Sequence, residues 1–243
     1  MTRHAARPPR GHRIAAHPVG TPRTTTHSTG DRPPRSSARS PEGFYGWRIV
    51  AASSAAVVLT APGQTAAVSA FVNPMLAELG LSRTVLSTAY LVGTLTGAAA
   101  MPLVGRALDT YGVRRTMAAI GLVFGAFLLG LSFVTGIVGV TAGFVGIRMA
   151  GQGALGLTAT TATALWFSRR RGVAVGAVSA AGAAGISLAP LLLERLVSAY
   201  GWRTVWAGEG VLVWLTVVPL ALLVMRDRPE QLGQVPDGVR RPG

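Results

Sequence analysis

One arginine, Arg148, stands alone among apolar and small residues, with Gln152 following in the same segment. A guanidinium near the middle of a membrane costs about 2.5–3.5 kcal/mol on insertion scales, so it must face a polar cavity or a partner. Its chemistry is to bind the carboxylate of an anionic substrate, to couple charge movement to transport, or to act as a hydrogen-bonding hub for nearby carbonyls. Gln64 follows Pro62-Gly63 in another apolar stretch, and its amide needs a cavity or a bond across helices. Tyr90 and Asn73 are lesser polar candidates, since tyrosine is common near membrane interfaces. Glu209 lies about a turn and a half into the last apolar run. It is a candidate to take up and release protons, or else pairs with Arg203 or water near the outer face.

Other chemistries are excluded. The chain has no cysteine, and His4, His12, His17 and His27 all fall in the first thirty residues. Thiolate chemistry, histidine-based metal sites and Ser-His hydrolysis are therefore not expected. Asp109 is the sole aspartate between Asp31 and Asp227, so an intramembrane aspartyl pair is absent. The expectation is a protein that is not an enzyme and uses neither metal nor cofactor.

The elements that hold these residues read as membrane helices. Only 13% of residues are charged, against about 25% in a soluble domain, and the mean hydropathy is +0.43. Charge-free runs separated by arginines, at about 20 apolar residues per crossing, predict six helices over roughly 49–72, 84–105, 115–134, 137–165, 173–195 and 204–225. Thr135-Gly136 breaks the longest run. Uniformly apolar runs exclude transmembrane strands, which alternate. Gly93/Gly97, Gly121/Gly125, Gly139/Gly143 and Gly172/Gly176 are spaced four apart, a spacing for close helix packing. The six-helix domain is placed at 42–228, with a further cytoplasmic segment at 229–243.

Residues 1–41 are rich in Arg, Pro, Ser and Thr, too polar to form a core, and read as a disordered tail. The formal net charge is +14 with every basic residue an arginine. Nine arginines precede the first apolar run; three, three and four follow in alternate loops and the carboxyl tail. Arg83, Arg195 and Arg203 alone fall in the opposite loops. The positive-inside rule then puts both termini in the cytoplasm of a multi-pass plasma-membrane protein. The basic residues form no folded patch with interleaved aromatics, so nucleic acid is not an expected partner.

Several stretches carry a family resemblance. Gly105-Arg106-Ala107-Leu108-Asp109-Thr110-Tyr111-Gly112-Val113-Arg114-Arg115 resembles the G-x-x-x-D-x-x-G-x-[RK]-[RK] loop between the second and third helices of the Major Facilitator Superfamily, with Thr110 replacing a basic residue. Arg148 to Gly156 resembles that superfamily's R-x-x-x-[QG]-G-x-x-x-G stretch in its fourth helix. Three further segments are similar to the monocarboxylate-transporter-like and oxalate/formate-antiporter branch. They are Glu42 to Trp47, with Phe44 and Tyr45 departing; Trp166-Phe167-Ser168-Arg169-Arg170-Arg171 continuing to Ala174 and Gly176; and Arg228 to Gly238.

The resemblance implies a carrier of small organic anions such as monocarboxylates, working by alternating access in the lipid bilayer. It implies a fold of 3+3 inverted repeats in each six-helix half, of which this chain carries the amino-terminal one, so a second half or a homodimer is an expected partner. Gly105, Asp109, Gly112, Arg114 and Arg115 are expected to form a conformational latch. The alternative is an inactive fragment or a non-transporting membrane interaction protein.

Overall fold

The computed structural model describes residues 43–238. The expected tail at 1–41, together with Glu42, Arg240 and Arg241, lies outside them. Among the described residues every regular element is helical. The helices are α1 (Gly46–Val58), α2 (Thr65–Leu79), α3 (Arg83–Ala99), α4 (Met101–Ser132), α5 (Ile137–Ile147), α6 (Gly156–Trp166), α7 (Arg171–Tyr200) and α8 (Trp202–Pro219). A 3-10 turn (Ala61–Gly63) joins α1 to α2, and a π-helical stretch (Arg148–Leu155) joins α5 to α6.

Three stretches are long and apolar enough to cross a membrane: Arg83–Ser132, Arg171–Tyr200 and Trp202–Val224. Large apolar side chains such as Leu95, Leu188, Leu191, Leu215 and Leu223 are exposed on them, as suits helices solvated by lipid. Inside, Trp166, Trp206, Phe71, Phe124 and Phe144 are fully buried. Phe71 stacks on Trp206 with ring centroids 3.9 Å apart, tying α2 to α8.

The structure departs from the expected boundaries and packing at several points. The first predicted helix is interrupted: Pro62 is the second residue of the 3-10 turn, and Gln64 is extended (φ −90°, ψ 150°) before α2 begins. Proline within the first turn of a helix lacks a donor that would go unpaired anyway, so the break costs little there. The predicted loop over 106–114 is helical up to Tyr111, and the chain turns at Gly112 alone (φ 79°, ψ 171°). Only glycine adopts that conformation readily, so the whole reversal is concentrated in one residue. Gly172 and Gly176 have open space around them rather than a packed neighbour. Gly121 and Gly125, by contrast, lie against Val217 and Trp214 of α8.

The helices meet in polar knots at two ends. At one end Tyr45 donates its hydroxyl to the Val224 carbonyl (2.8 Å) and its N–H to Gln234 Oε1 (3.1 Å). Trp166 Nε1 donates to the Arg226 carbonyl there (3.1 Å). At the other end Arg203 Nε pairs with Glu78 Oε1 at 2.8 Å, and Arg203 Nη1 donates to the Ser132 carbonyl at 2.8 Å. Trp202 Nε1 also donates to Glu78.

Candidate functional site

Arg148 opens the π-helical stretch and is buried, with 6% of its surface exposed. π-helical turns inside α-helices are rare and concentrate at functional sites. The guanidinium is held by three elements. Nε donates to Thr94 Oγ1 on α3 (3.0 Å). Nη1 donates to the Gly63 carbonyl (3.2 Å) and to Thr65 Oγ1 at the start of α2 (3.4 Å). The Tyr90 ring lies under it, 4.6 Å from Cζ to the centroid, and the Tyr90 hydroxyl donates to Thr65 Oγ1 (2.7 Å).

Local backbone explains this convergence. The helical break at Ala61–Gln64 leaves the Gly63 carbonyl outside a regular helical ladder and aimed at Arg148. Gly63 sits so close to the junction of α5 and the π-helical stretch that an added Cβ would lie 2.6 Å from the Ile147 carbonyl oxygen. Gly93 and Gly97 bring α3 equally close to Phe144 and Met149, which places Thr94 within reach.

Among the described residues the single ion pair is Arg203–Glu78, so no carboxylate lies within 4.0 Å of Arg148. Its charge is met by neutral oxygens and a ring face. Beyond the guanidinium, a cleft of about 220 Å³ lies between α2 and α3, lined by Thr65, Ser69, Arg83, Ser87 and Tyr90 among others. Val68, Val72, Leu86 and Phe144 make the rest of its lining, and two polar stripes run along the facing helices. Thr65, Ser69 and Asn73 recur every four residues on α2; Arg83, Ser87, Tyr90 and Thr94 recur at four, three and four on α3. Those spacings put each set on one helical face. At membrane depth, exposed polar faces line water-filled cavities rather than lipid.

The structure gathers some expected site residues and separates others. Arg148 and Tyr90 are in contact, and Asn73 joins through Arg83, whose Nη2 donates to Asn73 Oδ1 (2.8 Å). Gln64 bonds locally instead, its Nε2 donating to Thr60 Oγ1 (3.1 Å). Gln152 is exposed one turn beyond Arg148, and only its backbone approaches Gly63. Glu209 belongs to α8, which supplies none of Arg148's partners. It does not pair with Arg203, which binds Glu78, and its buried Oε2 has no hydrogen-bond partner among the described residues. Thr65, Thr94, Ser69, Ser87 and the Gly63 carbonyl were not singled out in the sequence; the four-residue polar spacing is the signal for the first four.

The remaining motif residues cluster at the Tyr45 end. Gly105 and Asp109 lie on α4, and Asp109 is exposed without a hydrogen bond among the described residues. The acid at the Gly112 turn is Asp227, whose Oδ1 accepts from the Arg114 N–H at 2.9 Å. Arg114 and Arg115 point outward. Trp166, Phe167 and Ala174 are buried, while Arg169, Arg170, Arg171 and Gly176 are exposed. Phe44 meets Phe167 edge-on at 5.3 Å and Tyr45 meets Trp166 at 5.5 Å, so two segments of the resemblance pack together. Among the described residues no cluster of His, Cys, Asp or Glu is arranged to hold a metal.

The sequence profile of the Major Facilitator Superfamily matches residues 53–241. The chain belongs to the Major Facilitator Superfamily. It is similar to the MFS-type transporter hasB of Aspergillus fumigatus, 35% identical over 120 residues, which is 47% of this chain and 26% of that protein. A triacylglyceride transporter of Mycolicibacterium hassiacum is 36% identical over 144 residues, 57% of this chain and 24% of the relative. The riboflavin transporter RibJ of Trypanosoma brucei brucei is 33% identical over 82 residues, 34% of this chain and 15% of the relative. The chain thus matches about a quarter or less of the length of these three proteins. Members of the superfamily are membrane transporters rather than enzymes, and the apolar helices agree with a membrane-embedded protein.

Proposed function

We propose that the chain is part of a secondary carrier that moves small organic anions, monocarboxylates among them, across the plasma membrane by alternating access. One observation carries the reading: Arg148 is buried among uncharged partners, and two of them, Thr65 and Tyr90, also line the α2–α3 cleft, where hydroxyls and apolar side chains alternate. A buried guanidinium without a carboxylate is costly unless an anion completes it, and its planar fork is suited to grip a carboxylate at two points. The relatives carry names of unlike substrates, a triacylglyceride and riboflavin, so the anion class rests on the site and on the resemblance to the monocarboxylate-like branch.

In this reading the polypeptide crosses the membrane six times, as a 3+3 inverted repeat over residues 42–228, with the turn at Gly112 separating the second crossing from the third. The arginine-rich Tyr45 end faces the cytoplasm. Asp227 at the Gly112 turn, with Gly105, Asp109, Arg114 and Arg115, forms the latch. The open polar cleft needs a facing surface, which a second six-helix half or a second copy of this chain supplies.

Uptake of a labelled monocarboxylate such as lactate into proteoliposomes, with the chain alone and with a second half, tests the reading. Uptake should occur in at least one arrangement. Arg148→Ala should abolish it, and Arg148→Lys should leave a small remainder, because lysine keeps the charge but not the fork. Uptake unchanged in Arg148→Ala removes Arg148 from the mechanism. No uptake by the native chain in either arrangement favours an inactive fragment.

A further inference from the structure

Arg83 lies at the end of the cleft opposite Arg148. It is the first residue of α3, is exposed, and spends one hydrogen bond on Asn73. No carboxylate lies within 4.0 Å of it among the described residues, where the one ion pair is Arg203–Glu78. Among the described residues its other N–H donors have no partner, and Asn73 holds the side chain at the cleft rather than neutralising it.

From Arg83 the α3 wall continues through Ser87 and Tyr90 to Thr94, which touches Arg148. Eleven residues of helix make about 16 Å at ~1.5 Å per residue. Thr65 and Tyr90 belong both to the cleft lining and to the Arg148 shell, so the cleft ends on the residues that hold the guanidinium, and the Tyr90–Thr65 hydrogen bond stands between them. The cleft's 220 Å³ is about seven water volumes at ~30 Å³ each, room for one small anion at a time. Arg83 in the cleft and Arg148 behind its Thr65–Tyr90 end, with four hydroxyls and apolar Val68, Val72, Leu86 and Phe144 on the lining and no acid among those lining residues, form a path of one electrostatic sign. Such a path raises the local concentration of the opposite charge.

We propose that Arg83 is an anion-capture site. It takes a small carboxylate or sulfonate at the mouth of the α2–α3 cleft and releases it along the serine and tyrosine hydroxyls to Arg148. This rests on the anion-carrier reading, and it assigns to Arg83 the entry step rather than the final binding.

The lack of cysteine gives a direct test. Ser87→Cys, placed on the cleft wall in the full chain in lipid nanodiscs, is treated with two methanethiosulfonates of similar size, one carrying a sulfonate and one a trimethylammonium group. The sulfonate reagent should react about tenfold faster relative to a free thiol in solution, the low end of electrostatic steering. The preference should shrink at 1 M salt, where the screening length falls to about 3 Å. Adding Arg83→Gln should bring the ratio close to one, Arg83→Lys should keep it, and lactate should slow the labelling when Arg83 is present. A ratio that Arg83→Gln leaves unchanged overturns capture at Arg83, and the carrier reading then stands if uptake still depends on Arg148. Uptake indifferent to Arg148, with an Arg83-dependent ratio, overturns the carrier reading while leaving an anion site at Arg83.

Discussion

The carboxylate of Asp237 accepts hydrogen bonds from the N–H groups of Ser168, Arg169 and Arg170 and from the Ser168 hydroxyl. Together they hold its carboxyl at about 2, below the ordinary 3.8, with the Ser168 hydroxyl the largest cause. Asp237 does this from a left-handed backbone conformation (φ 62°), which aspartate tolerates better than most residues. The folded carboxyl is more acidic than the unfolded one, so the clamp's stabilisation is complete above the unfolded value and is lost as pH falls through the folded one. Hydrogen-exchange protection of the 168–170 amides should therefore be full above about pH 4 and decline toward pH 2. Asp237→Ala should lose it at every pH, and trypsin should then cut the Arg169-Arg170-Arg171 run several-fold faster. Equal cleavage of the two proteins would show that the clamp does not hold this turn. None of this is visible in the spacing of Pro236-Asp237-Gly238, because the partners are three backbone N–H groups and one serine hydroxyl some seventy residues away.

At the scale of elements, the site exists because helices approach at glycines. The Gly63 position leaves 2.6 Å between an added Cβ and the Ile147 carbonyl oxygen, and the three nearest atoms, on Ile147, Gly151 and Gln152, are all backbone, which cannot move aside cheaply. Gly63→Val should cost about 1–3 kcal/mol by overpacking. It should also push the α1–α2 break away from Arg148, lowering the thermal midpoint in detergent and weakening anion binding together. A wild-type midpoint in that variant would mean that the close approach is not structural. The Gly93/Gly97 pair works in the same sense on α3, as its spacing suggested, whereas Gly172 and Gly176 have nothing packed on them. A four-residue glycine spacing permits close packing; it does not say that a neighbour is present.

For the whole molecule, the six-crossing reading puts Thr135 and Tyr111, both exposed, at opposite ends. Thr135→Cys should react with a membrane-impermeant maleimide in intact cells, and Tyr111→Cys only after permeabilisation. The reverse pattern would invert the proposed orientation, and labelling of both in intact cells would break it. Much of this architecture was legible beforehand. Composition and charge-free runs called for apolar helices, and the motif from Gly105 to Arg115 and the stretch from Arg148 to Gly156 pointed to the superfamily that the profile match then established. Those features are local in sequence, since hydropathy depends on composition over about twenty residues. By itself the sequence determined the solvent, the helical class, the family and the isolation of Arg148 from other charges. Only the tertiary structure decided which groups meet. It gave Arg148 the Gly63 carbonyl, Thr65, Thr94 and the Tyr90 ring, turned Gln64 aside to Thr60 and gave Arg203 to Glu78 instead of Glu209. Such pairings join residues far apart in the chain, and they depend on how closely and at what rotation the helices pack, which no single segment encodes.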